Sequence, residues 1–103
     1  MRKEYGQVVV LSGSTKFKES FISEARRLAL EGYIVISLSV FHHANNEDLT
    51  AEQIEMLMIN HKKKIRMCDI LHIINENNYM GKGTIEEIEY AKKYNKEITY
   101  MEN

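Results

Sequence analysis

Residues 7–16 read QVVVLSGSTK. Val8 to Leu11 form a short, continuous apolar run. Such runs suit a strand covered on both faces, as in a parallel sheet. Ser12-Gly13-Ser14-Thr15 breaks the run. Beyond it Phe17, Phe21, Ala25, Leu28 and Ala29 recur at helical spacing, and Gly32 ends that helix as a C′ residue.

The same alternation continues outward. Tyr33–Leu38 (YIVISL) is a second buried-type strand, and FHHANNEDL at 41–49 is a polar loop. Thr50-x-x-Gln53 is a capping-box signature. The helix it opens carries Ile54, Leu57, Met58, His61, Ile65 and Cys68 on one stripe, with Lys62, Lys63 and Arg66 on the other face. Asp69–Asn75 (DILHIIN) is a third strand, 77–83 a loop, 84–95 a third helix, and Glu97–Met101 a fourth strand. Strands alternating with helices of this length imply right-handed crossovers. The expected fold is a single α/β domain over residues 1–103. It is three-layered and doubly wound, a Rossmann/flavodoxin-like parallel sheet of about four strands with helices on both faces.

Composition narrows the function classes. The chain has 103 residues, 28% charged and 44% apolar, with a net charge of −1. No strongly basic field exists, so a nucleic-acid polymer is not expected as a partner. The run His61-Lys62-Lys63-Lys64 reads as the wet face of a helix. One cysteine, Cys68, leaves no internal disulfide and no cysteine zinc cluster, which fits a reducing, cytoplasmic setting. MRKEYGQ is polar and leads into a strand, so no signal peptide is expected. No apolar run approaches the roughly 20 residues that span a bilayer. A four-stranded sheet leaves edges or helix faces open, so a homo-oligomer, a dimer or higher, is expected.

In such sheets ligands bind beyond the carboxyl ends of the strands, where strand order reverses. The candidate loops are therefore 12–16, 39–46 and 75–87. In the first, Gly13 allows close approach, Ser14 and Thr15 add hydroxyls, and Lys16 adds charge at a helix N-terminus, where anions bind. A glycine turn with a Ser or Thr N-cap explains the same residues. The third loop runs into GKGTIEEIEYA at 81–91. Thr84-x-x-Glu87 matches a capping box, which would make Glu87 a backbone-capping acid. Glu86 and Glu89 lie near Lys93 on the solvent side, whereas Glu87 borders the core stripe at the sheet's carboxyl end. A carboxylate nucleophile would be placed there. His43, beside His42, is the histidine best placed to touch a ligand. His61 and His72 read as packed or partly buried. The spacing offers no metal set, and no cofactor is expected. Asp69 lies at the far end of the sheet, in a turn or capping role.

With these residues in view, the chain resembles the nucleoside 2-deoxyribosyltransferase superfamily, which includes the 2′-deoxynucleoside 5′-phosphate N-hydrolases. Gly83-Thr84-Ile85-Glu86-Glu87-Ile88-Glu89-Tyr90-Ala91 is similar to that family's G-x-x-x-E-[LI]-G-[YR]-A signature. The resemblance makes Glu87 the nucleophile that attacks C1′ and displaces the base. It matches Gly13, Ser14 and Lys16 to the loop that holds a 5′-phosphate, and Met67-Cys68-Asp69-Ile70-Leu71-His72-Ile73 to the family's third strand. His61 stands where the family has a base-assisting aspartate, Gly81 where it has aspartate or serine, and Glu89 where it has glycine. The chain also ends before the family's C-terminal extension, and it resembles small uncharacterised proteins of the superfamily.

The expected function is cleavage or transfer at the N-glycosidic bond of a (deoxy)nucleoside or its 5′-monophosphate. Glu87 and His61 are the catalytic candidates, with His61 or His43 as proton donor. Gly13, Ser14, Thr15, Lys16, His43, Gly81, Gly83 and Thr84 would bind substrate or phosphate. The alternative is a non-catalytic nucleotide-binding or sensing module of the same fold, and a third reading is a small interaction domain with no ligand.

Overall fold

The computed structural model describes residues 7–102. Most of the polar N-terminal stretch, on which the signal-peptide reading rests, lies outside them. The elements run β1 (Val8–Gly13), α1 (Lys18–Leu30), β2 (Ile34–Ile36), α2 (Ala51–Met67), β3 (Ile70–Ile74), a 3-10 turn (Glu76–Asn78), α3 (Lys82–Lys93) and β4 (Glu97–Tyr100). The four strands are parallel, in the order β2-β1-β3-β4. This is the doubly wound α/β sheet that the alternating pattern predicts.

The two central strands explain why the pattern is so apolar. Val10, Leu71 and Ile73 face Ile65 of α2, Cys68 just after it, and Ile88 and Ala91 of α3. Val9, Leu11, Ile70 and Ile74 face Phe21 and Leu28 from α1. Successive residues of β1 and β3 thus bury on opposite faces, each contributing roughly 1.5–3 kcal/mol. The chain runs from β1 outward to β2, then crosses back to β3. Strand order therefore reverses between β1 and β3, and the loops after these strands part there.

Local signals fix several helix ends. Thr50 and Gln53 form the expected reciprocal box, with Gln53 N–H to Thr50 Oγ1 at 3.1 Å and Thr50 N–H to Gln53 Oε1 at 2.9 Å. Gly32 takes φ 98° after α1, and the N–H groups of Gly32 and Tyr33 reach Ala29 and Leu28 carbonyls at 3.0 and 3.1 Å. This is a complete Schellman motif. Asn95 makes the same close after α3, two residues earlier than the sequence suggested.

Other expectations need correction. β2 is three residues long and an edge strand with Ile34 exposed, because it pairs only with β1. The α2 stripe divides: His61, Ile65 and Cys68 are buried, while Ile54 and Met58 are 38% and 56% exposed. Phe17 precedes α1 as its N-cap residue, and Ala29 is exposed. Glu89 pairs with Lys92 at 3.6 Å, not with Lys93. α3 begins at Lys82 with Gly81 as N-cap, not at Thr84. Asp69 behaves as expected, accepting the Val8 N–H at 2.8 Å at the far end of the sheet. No helix among the described residues is long and apolar enough to cross a membrane.

Candidate active site

The earlier start of α3 changes what Glu87 is. Thr84 is the third helical residue and is buried, and the helix N-terminus has no side-chain cap. The capping box that Thr84 and Glu87 spell is not formed. Glu87 sits in the second turn, released from the helix end. Its Oε1 accepts a short hydrogen bond from the hydroxyl of Ser12, the buried polar residue near the end of β1. The same oxygen lies 3.3 Å from Nε2 of His61 on α2. Three elements thus converge on one carboxylate, and its other oxygen, Oε2, accepts no hydrogen bond among the described residues.

His61 is only 6% exposed, yet neither ring nitrogen has a hydrogen-bond partner. The approach to Glu87 is close enough for an ion pair but off the line of an N–H···O bond. Buried polar groups are almost always hydrogen-bonded, so an imidazole with both nitrogens unspent beside a carboxylate is a candidate for contact with a ligand.

Two clefts meet at Glu87. The first, about 500 Å³, has apolar walls from Leu38, Val40, Ile54, Leu57 and Met58, and His42 and His61 also line it. The exposed half of the α2 stripe is therefore cleft lining rather than core. The second, about 400 Å³, is lined by Ser14, Thr15, His43, Lys62, Tyr79, Gly81, Gly83 and Thr84. Gly13, Thr15, Met58 and Glu87 border both.

The first loop is built differently from expectation. A Cβ on Gly13 would lie 2.7 Å from the Ile74 carbonyl oxygen, so glycine is required for the close approach of β1 and β3. Ser14 does not cap α1. Its hydroxyl accepts the Lys16 N–H at 3.3 Å, and its carbonyl accepts the Phe17 N–H at 3.0 Å. Thr15 and His43 Nδ1 are hydrogen-bonded across the rim, and His42 stacks on His43 with centroids 4.3 Å apart. Lys16 is the one predicted site residue left outside. Its Nζ lies 3.8 Å from the Tyr79 ring centroid, and it lines a separate cleft of about 420 Å³ with Lys18, Glu19 and Glu76.

Sequence reasoning missed Ser12 as the partner of Glu87. Lys62 and Lys63 are exposed, as the wet-face reading expects, and the run also borders the clefts. Lys62 lines the second cleft, Lys63 and Lys64 the first, and Lys64 Nζ donates to the Ser37 carbonyl at 3.1 Å. The signal for Ser12 was a hydroxyl near the end of an otherwise apolar central strand. Cys68 lies outside both clefts, and burial pushes its thiol up, away from a reactive thiolate. No group of three His, Cys, Asp or Glu among the described residues is placed to hold a metal.

Residues 8–100 match the sequence profile of the family described as Domain of unknown function (DUF4406). The chain belongs to this family. In fold the DUF4406 chain is similar to the CMP N-glycosidase BcmB of Clostridium botulinum, with a TM-score of 0.61 and 19% identity. The likeness covers 91% of this chain and 70% of that one. At that identity it concerns the fold. A search of curated proteins found no match for the DUF4406 chain.

Proposed function

We propose that this DUF4406 protein cleaves the N-glycosidic bond of a nucleoside or nucleoside 5′-monophosphate, with Glu87 as nucleophile. The observation that carries the reading is the Glu87 carboxylate at the junction of two clefts. The first is walled mainly by aliphatic side chains, with Lys63 and Lys64 also lining it, and the second is richer in hydroxyls and glycines, with Lys62 and Glu86. A nucleotide has the same division, an aromatic base on one side of C1′ and a hydroxylated or phosphorylated sugar on the other. The base fits the apolar first cleft, and the sugar with its 5′ group fits the second. The fold shared with a CMP N-glycosidase supports the assignment.

Ser12 and His61 both address Oε1, which leaves Oε2 to attack C1′. As the C1′–O bond forms, the C1′–N bond breaks and its electron pair stays on the base nitrogen. His61 lines the base cleft, whereas His43 lines the other. His61 therefore supplies the proton that neutralises the leaving base. The ester on Glu87 is then resolved by water, which gives hydrolysis, or by an acceptor base, which gives transfer. The Ser12 hydrogen bond fixes the carboxylate rotamer and is charge-assisted.

A second reading is a nucleotide-binding module without turnover. It is favoured by the absence of any carboxylate other than Glu87 among the residues lining the first cleft. A homo-oligomer belongs to either reading. Ile54, Met56, Met58 and Ile59 are exposed on the first half of α2, Ile54 and Met58 lining the first cleft, and a second subunit would cover them. A monomeric mass in solution would count against it.

The test is incubation with deoxynucleosides and deoxynucleoside monophosphates, with and without an acceptor base, followed by chromatography for free base. Release by the wild type and its loss in Glu87→Gln are expected. Saturable binding without release from any substrate would replace this reading with the second.

A further inference from the structure

The cation of the second cleft is not the one in the first loop. Lys16 lies against the Tyr79 ring with Phe17 behind it, and it lines neither cleft at Glu87. Lys62 does line the second cleft. It is exposed, it makes no ion pair among the described residues, and its Nζ lies 5.6 Å from the Tyr90 ring centroid.

Around Lys62 the cleft carries further polar groups. The hydroxyls of Ser14 and Thr15, the latter hydrogen-bonded to His43, line it. So does the first turn of α3, where Gly81 offers no side chain to cap the free N–H groups. A Cβ on Gly83 would meet nothing within 4 Å, so no protein atom explains the bare backbone there. A helix N-terminus attracts negative charge weakly by itself, and Lys62, which lines the same cleft, supplies the full positive charge that an anion needs.

We propose that Lys62 is the anion-binding residue of the second cleft and makes the protein selective for a nucleoside 5′-monophosphate over the nucleoside. The proposal rests on reading the two clefts as one nucleotide site. His61 and Lys62 are adjacent on α2, so they point about 100° apart around the helix axis. One reaches the cleft assigned to the base and the other the cleft assigned to the phosphate, with Glu87 between them. Glu86 lines the same cleft as Lys62 and opposes it in sign, so removing its charge strengthens anion binding.

The test reads binding rather than turnover. Deoxynucleosides, their 5′-monophosphates and inorganic phosphate are titrated calorimetrically into Glu87→Gln protein, alone and combined with Lys62→Ala, Lys16→Ala or Glu86→Gln. Tighter binding of a monophosphate than of its nucleoside is expected. Lys62→Ala should reduce that advantage about tenfold or more, with nucleoside affinity unchanged, as loss of one charged hydrogen bond requires. Lys16→Ala should leave the advantage in place, Glu86→Gln should enlarge it, and added salt should shrink it. An advantage that survives Lys62→Ala, one lost equally with Lys16→Ala, or no monophosphate binding at all would overturn the proposal. Lys62-dependent monophosphate binding without base release would overturn only the glycosidase reading. Base release from nucleosides and monophosphates alike, with equal affinities, would overturn only this one.

Discussion

Two glutamate–histidine pairs lie on opposite faces of the sheet, and they are built to opposite ends. On the α1 face, Glu24 accepts from His72 Nε2 at 2.7 Å and from Arg27 at 3.0 and 3.1 Å. His72 Nδ1 lies 2.7 Å from Thr99 Oγ1, so every polar atom of that ring is satisfied. On the α2–α3 face, Glu87 is held at Oε1, Oε2 is open, and the His61 ring has no hydrogen bond. The first pair fills a polar gap in a half-covered sheet. The second leaves bonding capacity unspent where two clefts meet at Glu87. Histidine burial alone does not separate these cases, since both rings are buried. The unspent hydrogen bonds do.

Substitutions can break or sharpen this contrast, and Glu87→Gln is expected to have the largest effect. Base release should fall by about 10³-fold or more while nucleotide binding persists, because the amide keeps the shape and loses the nucleophile. Steady-state rates with a binding isotherm check it, and a variant of equal activity would remove Glu87 from the chemistry. His61→Asn should slow release by about 10²-fold, as loss of a general acid does. It should also cost less stability than a change at His72, since His61 makes no hydrogen bond to lose. His72→Ala should lower unfolding free energy by about 2 kcal/mol and leave turnover unchanged, which denaturant titration and the release assay would show together.

The smallest effect is in pH. The Arg27 hydrogen bond, with that of His72, holds the Glu24 carboxyl below its ordinary 4.5. A folded-state value depressed in this way gives stability that is present above 4.5 and lost as pH falls through the lower folded value. Arg27 is half exposed, so the gain is about 1 kcal/mol or less. The stability gap between wild type and Glu24→Gln should close as the solution is acidified below that range. A gap independent of pH would show that the Glu24 charge contributes nothing.

Much of the fold was legible from local pattern. The VVVL and ILHII runs show an apolar pattern readable within a few residues, the Thr50 box and Gly32 report hydrogen bonds made within a few residues, and each element formed. The site was legible only in part. Glu87, His61, His43 and the glycines are where the pattern placed them. The capping box at Thr84 was a false local signal, because Gly81 offers an equally good start one turn earlier. Lys16 was a reasonable cation for the first loop until Tyr79, distant in sequence, gave its ammonium an aromatic face.

What the sequence by itself determined is the alternation of strand and helix, the parallel sheet it requires and the identity of the acid at the sheet's carboxyl end. Those follow from periodicity and steric preference, which act over one or two turns of chain. Only the tertiary structure decided that Ser12, 75 positions away, holds Glu87. It also decided that His61 is left unsatisfied and that Lys62 rather than Lys16 faces the second cleft. These depend on how β1, α2 and α3 meet at the reversal of strand order, and no local pattern encodes the distance between side chains on different elements.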